Sequence, residues 1–264
     1  MERMETPPHK YSFGRQELVV QHKAKKKFKS KLGFIFLLII ANLTLMLFLR
    51  SPYFTIGEIS IQGTDKLSLR EVRLAMGIQE GMNIWKISPP ELRERILKLP
   101  RVAGVDVERV LPNKLQVCVR EKDFLALVPY HSYYLELASD GTFTGIRYNY
   151  DGGLPLINGL PQGQIEVGTK VIDPERGAVI TIFLEALQKL PALPLAEINV
   201  ENPEQIIVYT NEGMEVWLGG KVDLARKIEV FQHIHHHYFP LEKGINEGYL
   251  DLRVAEAPVY KPFF

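Results

Sequence analysis

The sequence predicts an α+β protein in three parts: a single transmembrane helix, a small β-α-α-β-β unit, and a β-rich domain with two helices. Three observations carry this reading. Residues 32–49 form an unbroken apolar run without a charge. Two Ser-led helix starts lie among short alternating strands in residues 53–122. Residues 123–264 hold alternating segments parted by Asp-Gly and Asn-x-Gly turns, with two helical stretches among them.

The apolar run, LGFIFLLIIANLTLMLFL from Leu32 to Leu49, is interrupted only by Asn42 and Thr44. As a helix it reaches about 27 Å, close to the roughly 30 Å of a bilayer core. Residues 1–31 carry nine Lys or Arg against three Glu, a net +6, whereas the whole chain is +1. Everything from Leu32 onward therefore sums to −5. Positive charge beside one end of a span holds that end in the cytoplasm, so the predicted topology is N-terminus inside and body outside. A cleaved signal peptide has a shorter apolar region and a small-x-small site, but here Arg50-Ser51-Pro52-Tyr53-Phe54 follows the run. A buried core helix would carry polar residues along one face. The basic stretch KAKKKFKSK, Lys23 to Lys31, abuts the span and reads as a topology signal beside anionic lipid rather than a nucleic-acid patch. Cys118 is the only cysteine, so no intrachain disulfide forms and the outer body must be stable through its cores.

In the first outer unit, Ile59 and Ile61 alternate with polar neighbours and predict a strand ended by Gly63. Ser68 and Glu71 have capping-box spacing, Leu67 and Val72 make the hydrophobic staple, and Gly77 is placed to stop the helix. The device repeats with Ser88 as cap, Pro89 at the first helical position, Glu91 closing the box, and Ile87 facing Leu92. Leu92, Ile96 and Leu99 continue that helix up to Pro100. Val105 and Val107 predict a strand, Leu111-Pro112-Asn113 a turn, and Leu115, Val117 and Val119 the return strand. Each helix has one apolar side, so both are expected to cover one face of a three-stranded sheet.

In the second part the predicted strands are Tyr133–Ala138, Ile165–Val167, Glu197–Val200, Gln205–Tyr209, Met214–Leu218 and Tyr249–Val254. Asp140-Gly141 and Asn211-Glu212-Gly213 are the hairpin signals. One helix opens at Asp173-Pro174, carries Val179, Ile182, Phe183, Ala186, Leu187 and Leu190, and ends at Pro191. The other runs from about Val222 to Phe239, with Leu224, Ile228, Phe231, His235 and Tyr238 on its inward stripe.

Three stretches carry a resemblance. ISIQGTDKLSLREVRLAMGIQEGMNIWKI has a strand, a capped helix and a G-x-N-hydrophobic turn. LPRVAGVDVERVLPNKLQVCVREKDFLAL has P-x-V, then V-x-R-x-L-P-N-x-L, then an E-K pair. YLDLRVAEAPVYKP has a D-L-R strand. The first unit resembles a POTRA domain, and nearly all of the chain from residue 32 resembles the bacterial cell-division family FtsQ, called DivIB in many Gram-positive bacteria, with only general strand and turn character matched from Leu125 to Pro191. The resemblance implies a non-enzymatic divisome scaffold at the septum that binds FtsB/DivIC-type and FtsL-type single-span proteins, with no cofactor. It also implies β-augmentation beside the last strand. The partner-binding residues it points to are Tyr249, Leu252, Val254, Ala255, Glu256, Ala257 and Tyr260. With Phe264 only ten residues beyond Val254, no long C-terminal tail is expected. The expected segments are a basic cytoplasmic tail (1–31), the span (32–49), the POTRA-like domain (53–122) and a β domain ending in an edge strand (123–264).

Other chemistry finds little footing. His233 and His237 are four apart on a helix, as metal pairs are, but no HExxH pattern and no nearby carboxylate or cysteine completes a site. Histidine near a helix C-terminus is accounted for by the helix dipole. There is no Ser-x-x-Lys, Walker loop or G-x-G-x-x-G. Trp85 and Trp217 are expected to pack. The alternative function is a membrane-anchored cell-wall hydrolase or protease using dispersed carboxylates. A POTRA-bearing transport component would place a β-barrel behind the POTRA unit, for which this chain is short.

Overall fold

The computed structural model describes residues 24–79, 81–161, 163, 165–190, 193–239 and 248–263, with side chains from Lys31 onward. Most of the basic tail and the helix stop at Pro191 lie outside the described residues. Two compact units separate at Pro52/Tyr53. The first contains helix α1 (Ala24–Leu49), whose side chains from Lys31 onward are almost all exposed.

In the second unit, β1 (Glu58–Gln62), α2 (Leu69–Met76), α3 (Pro89–Leu97), β2 (Val102–Val110) and β3 (Lys114–Glu121) follow in the expected order. Their sheet runs β1-β3-β2, with β1 parallel and β2 antiparallel to the central β3. Val105, Leu115 and Val117 are fully buried, along with Val72, Ile84 and Ile96 from the helical side. Ser68 caps α2: its Oγ accepts from the Glu71 N–H at 3.2 Å, and the Glu71 carboxylate accepts from the Ser68 N–H at 3.0 Å. Gly77 closes the helix at φ 62°, a left-handed conformation that suits glycine. Asn83 of the G-x-N turn accepts from the Trp85 N–H at 2.9 Å, which sends Ile84 into the core.

The second cap differs from its expectation. Ser88 is the N-cap of α3, but its side chain makes no capping hydrogen bond. Pro89 and Pro90 occupy the first two helical positions, so one of the two donors a cap side chain serves, the N–H of the second residue, does not exist, and the Glu91 N–H at the third is not engaged by Ser88.

The remaining strands among the described residues form one nine-stranded sheet in the order β12-β11-β10-β9-β8-β7-β4-β5-β6. They are β4 (Phe124–Tyr130), β5 (Tyr133–Ala138), β6 (Phe143–Arg147), β7 (Leu156–Asn158), β8 (Leu195–Asn199), β9 (Ile206–Thr210), β10 (Met214–Gly219), β11 (Gly248–Asp251) and β12 (Val259–Pro262). Two helices, α4 (Pro174–Lys189) and α5 (Leu224–Tyr238), are crossovers: α4 links the parallel pair β7 and β8, and α5 links the parallel pair β10 and β11. Asp173 caps α4 by accepting from the N–H groups of Glu175 and Arg176. Val179, Ile180, Phe183, Leu184, Ile228 and Phe231 form one core with Val208, Val216, Leu250 and Leu252.

Several expectations are corrected here. Ile165–Val167 is not a strand: residues 168–170 instead run beside β6, with the Phe143 N–H donating to the Thr169 carbonyl at 2.9 Å and the Gly168 N–H to the Phe143 carbonyl at 2.7 Å. Tyr238 is 71% exposed and off the inward stripe, because α5 reaches its last turn there. Strands β4, β6, β7 and β12 were not foreseen.

The Glu-Lys pair at the end of β3 straddles the two halves of this unit, since neighbours on a strand point in opposite directions. The Glu121 carboxylate accepts from the N–H groups of Lys66 (3.0 Å) and Leu67 (2.7 Å). The Lys122 ammonium meets Asp140 at 2.9 Å and donates to the Thr142 hydroxyl at 3.3 Å. Beside them, Arg101 reaches Glu136 of β5 at 2.6 Å, and Arg147 lies 3.5 Å from the other oxygen of the same carboxylate. The Glu136 side chain is only 6% exposed. Gly145 leaves room for the Arg101 guanidinium, whose nearest nitrogen would lie 2.2 Å from a Cβ there.

Two predictions follow from this packing. Ser68→Ala should cost about 1 kcal/mol in urea unfolding, whereas Ser88→Ala should leave the midpoint nearly unchanged. Glu136→Ala strips a buried carboxylate from Arg101 and Arg147 and should cost about 3 kcal/mol. Hydrogen exchange should then rise at the Lys66–Leu67 and Arg101 amides before it rises in the α4–α5 core.

Candidate functional site at the C-terminal sheet edge

The chain leaves α5, adds β11 to the sheet beside β10, turns through residues 252–258, and returns as β12 antiparallel to β11. The expected edge strand, Tyr249–Val254, is therefore one place inside the edge, and β12 is the last strand in the sheet order. Leu250 and Leu252 are buried at 1% and 0% exposure because the parallel crossover sets β11 beneath α5. Gly248 opposes Pro262 across the β11–β12 pair. A Cβ on Gly248 would lie 2.7 Å from the Lys261 carbonyl and 2.8 Å from the Tyr260 ring, so only glycine admits β12 at this spacing.

The predicted partner-binding residues divide by exposure. Leu252 is wholly in the core, and Ala255 is 9% exposed. A partner does not reach Leu252 while the domain is folded this way. Val254, Glu256 and Ala257 lie on the exposed turn between β11 and β12, where the Ala257 N–H donates to the Val254 carbonyl at 3.2 Å. The Glu256 carboxylate meets Arg226 of α5 at 3.1 Å, an exposed pair of little energetic weight. Tyr260 is half-buried edge-on to Phe239, with ring centroids 4.7 Å apart. Tyr249 faces away from the helices and stacks on Trp217 at 4.8 Å and 10°.

That outer face carries residues that sequence reasoning left out. Trp217 donates its indole N–H to Glu215 at 2.8 Å, and the Arg253 guanidinium lies 5.3 Å from its ring centroid. Arg253 is clamped by Asp251: Oδ1 accepts from the Arg253 backbone N–H and Nε at 3.0 Å, and Oδ2 accepts from Nη2 at 2.6 Å. Val259 and Lys261 of β12 oppose Asp251 and Tyr249 and complete the strip. The signal for β12 was the alternation Val259-Tyr260-Lys261, obscured by the flanking Pro258 and Pro262. Proline is tolerated at both places because they bound an edge strand.

The hydrogen bonds from Arg253 hold the Asp251 carboxyl below its ordinary value of 3.8. A depressed carboxyl adds stability above its unfolded value and loses it as pH falls through the folded one. Elsewhere on α5, the His233 and His237 rings lie 4.1 Å apart, and His237 Nδ1 is 3.0 Å from the His233 carbonyl. No group of three or more potential metal ligands converges among the described residues. Lys227 of α5 is buried with its ammonium donating to the Leu218 carbonyl at 2.8 Å, a structural use of charge.

Asp251→Asn should therefore lower stability at pH 7 and match the parent protein below the folded pKa of the carboxyl. Thermal unfolding across pH 2–7 checks this, with roughly equal midpoints expected at the acid end.

Comparison with known proteins gives two adjoining matches. The POTRA domain, FtsQ-type, matches residues 54–122, and the Cell division protein FtsQ/DivIB, C-terminal domain matches residues 126–253. The cell division protein DivIB of Geobacillus kaustophilus is 26% identical over 74% of this chain and 72% of its own. That of Clostridium botulinum is 25% identical over 91% of this chain and 94% of its own. The major extracytoplasmic domain of DivIB from Geobacillus stearothermophilus shares 23% identity over 44% of this chain and 92% of its own, with a TM-score of 0.31 that by itself says nothing about this fold. With a POTRA domain of the FtsQ type running directly into an FtsQ/DivIB C-terminal domain, behind one apolar helix, the chain belongs to the FtsQ/DivIB family of cell division proteins.

Proposed function

We propose that this protein is a non-catalytic, membrane-anchored assembly subunit of the division septum that captures a strand of a partner protein along β12. The observation that carries the proposal is the difference between the two ends of the nine-stranded sheet. At β6, both backbone groups of Phe143 are taken by residues 168 and 169. At β12, no further strand follows among the described residues. An open strand edge offers N–H and C=O groups that a partner strand satisfies.

The partners that fit are single-span division proteins of the FtsB/DivIC and FtsL types, by resemblance to the family. The residues that meet them are Val259, Lys261 and the outer side of Tyr260, with Val254, Glu256 and Ala257 on the adjoining turn. Tyr249 contributes through its stack on Trp217, and Leu252 and Ala255 act by packing the strand behind. In this reading residues 1–31 are a basic cytoplasmic tail, 32–49 a single pass through the cell membrane, 53–122 the POTRA domain and 123–264 the partner-binding β domain. The body lies outside the cytoplasm, as the charge beside the span directs.

Binding of a DivIC/FtsB-type ectodomain to residues 53–264 tests the proposal. Val259→Asp should weaken binding by at least tenfold, a loss of about 1.4 kcal/mol, with the unfolding midpoint unchanged. Removal of residues 258–264 should abolish binding while the POTRA domain and the α4–α5 core stay folded. Unaltered affinity in both variants would exclude the β12 edge. A cut after Gly248 is unsuitable as a test, since it also removes Leu250 and Leu252 from the core.

A further inference from the structure

Helix α1 carries a second pattern that anchoring alone does not need. Ile35, Leu38, Asn42, Leu45 and Leu49 are spaced alternately three and four residues apart. That is the heptad spacing of a two-helix seam, with Ile35, Asn42 and Leu49 at the a positions and Leu38 and Leu45 at d. From Ile35 to Leu45 the side chains on this stripe are exposed, with Ile35 and Leu38 at 52% and Leu45 at 54%, and Leu49 at its end is half-buried. Within Leu32–Leu49 no two small residues lie four apart, so the close-approach packing of Gly-x-x-x-Gly helices has no footing here.

Asn42 is what gives the stripe a direction of use. It sits ten residues past Leu32, about 15 Å into a bilayer core of roughly 30 Å. Lipid tails are as apolar as leucine, so the leucines alone give a neighbouring helix no reason to bind. A carboxamide in hydrocarbon has two donors and an acceptor with nothing to meet in lipid. It is also its own complement, because each copy both donates and accepts. Two copies of this chain insert in the same direction, so their Asn42 residues lie at the same depth without further design. A different helix would need a polar group matched to that depth.

We propose that α1 is a self-association helix. Two copies pair in parallel along Ile35, Leu38, Asn42, Leu45 and Leu49, with the Asn42 carboxamides hydrogen-bonded across the seam. A single Asn at an a position fixes register in this way, so the pairing has one alignment rather than several. The inference rests on the membrane-spanning reading of α1 and is independent of the β12 edge.

The test uses the full chain with Cys118→Ser and single cysteines placed along α1, oxidised in native membranes. Leu38→Cys and Leu45→Cys should cross-link efficiently, while Ile40→Cys and Leu47→Cys on the opposite side should not. Adding Asn42→Leu should lower the association constant about tenfold, whereas Thr44→Leu should leave it unchanged. A chain retained in carbonate-washed membranes that cross-links without regard to position, or ignores Asn42→Leu, overturns the pairing and leaves the anchor standing. Cross-linking to a different protein in place of a second copy also overturns it. Release of the chain by carbonate overturns the anchor and the pairing together.

Discussion

The parallel crossover through α5 sets the arrangement of the C-terminal half. A parallel neighbour of β10 has to be reached by carrying the chain back over one face of the sheet. The helix that does so, α5, brings Leu224, Ile228 and Phe231 down onto Val216, Leu250 and Leu252. Once β11 is held under that helix, Leu250 and the adjoining Leu252 belong to the core and the outer flank of the strand lies open. The next segment fills that flank as β12, and Gly248 permits the close fit. The exposed edge is thus one strand further along the chain than the strand that looks terminal by its alternation.

The junction between the POTRA domain and the β domain follows a similar economy of residues. Two consecutive side chains at the end of β3 point opposite ways, Glu121 to the loop before α2 and Lys122 to the β5–β6 turn. Arg101, in the short stretch after α3, reaches across to the buried Glu136. A carboxylate so sheltered from water needs its cationic partners, which ties the position of the POTRA loop to the integrity of β5. About 390 Å³ of open cleft beside Arg101 and Gly145 keeps the Arg101 guanidinium near solvent, while the Glu136 carboxylate it meets stays buried.

Legibility in the sequence tracked the range of the interaction. The Ser68 box, the Gly77 stop, the Asp173 cap and the alternation of Leu115, Val117 and Val119 all depend on residues within a few positions, and each could be read directly. Ser88 misled because the box pattern counts a serine and a glutamate but does not fix the serine side chain, and with Pro89 and Pro90 leading the helix Ser88 makes no side-chain cap bond. Ile165–Val167 misled because so short an alternation, Ile-Glu-Val, fits a strand or a loop equally. β12 was hidden because its flanking prolines read as strand breakers, although an edge accepts them.

The sequence by itself determined the long apolar helix, the order of elements in the POTRA domain, and the identity of most core residues, because hydrophobic periodicity and caps are local properties. Tertiary structure alone decided which strand forms the sheet edge, that Leu252 is core while Val254 is surface, that Arg101 finds Glu136, and that Trp217 stacks on Tyr249. Alternation along a strand states which side chains share a face, but it carries no information on which strand lies alongside. That choice is made by crossover direction and by the area the helices must cover, and both are properties of the assembled chain.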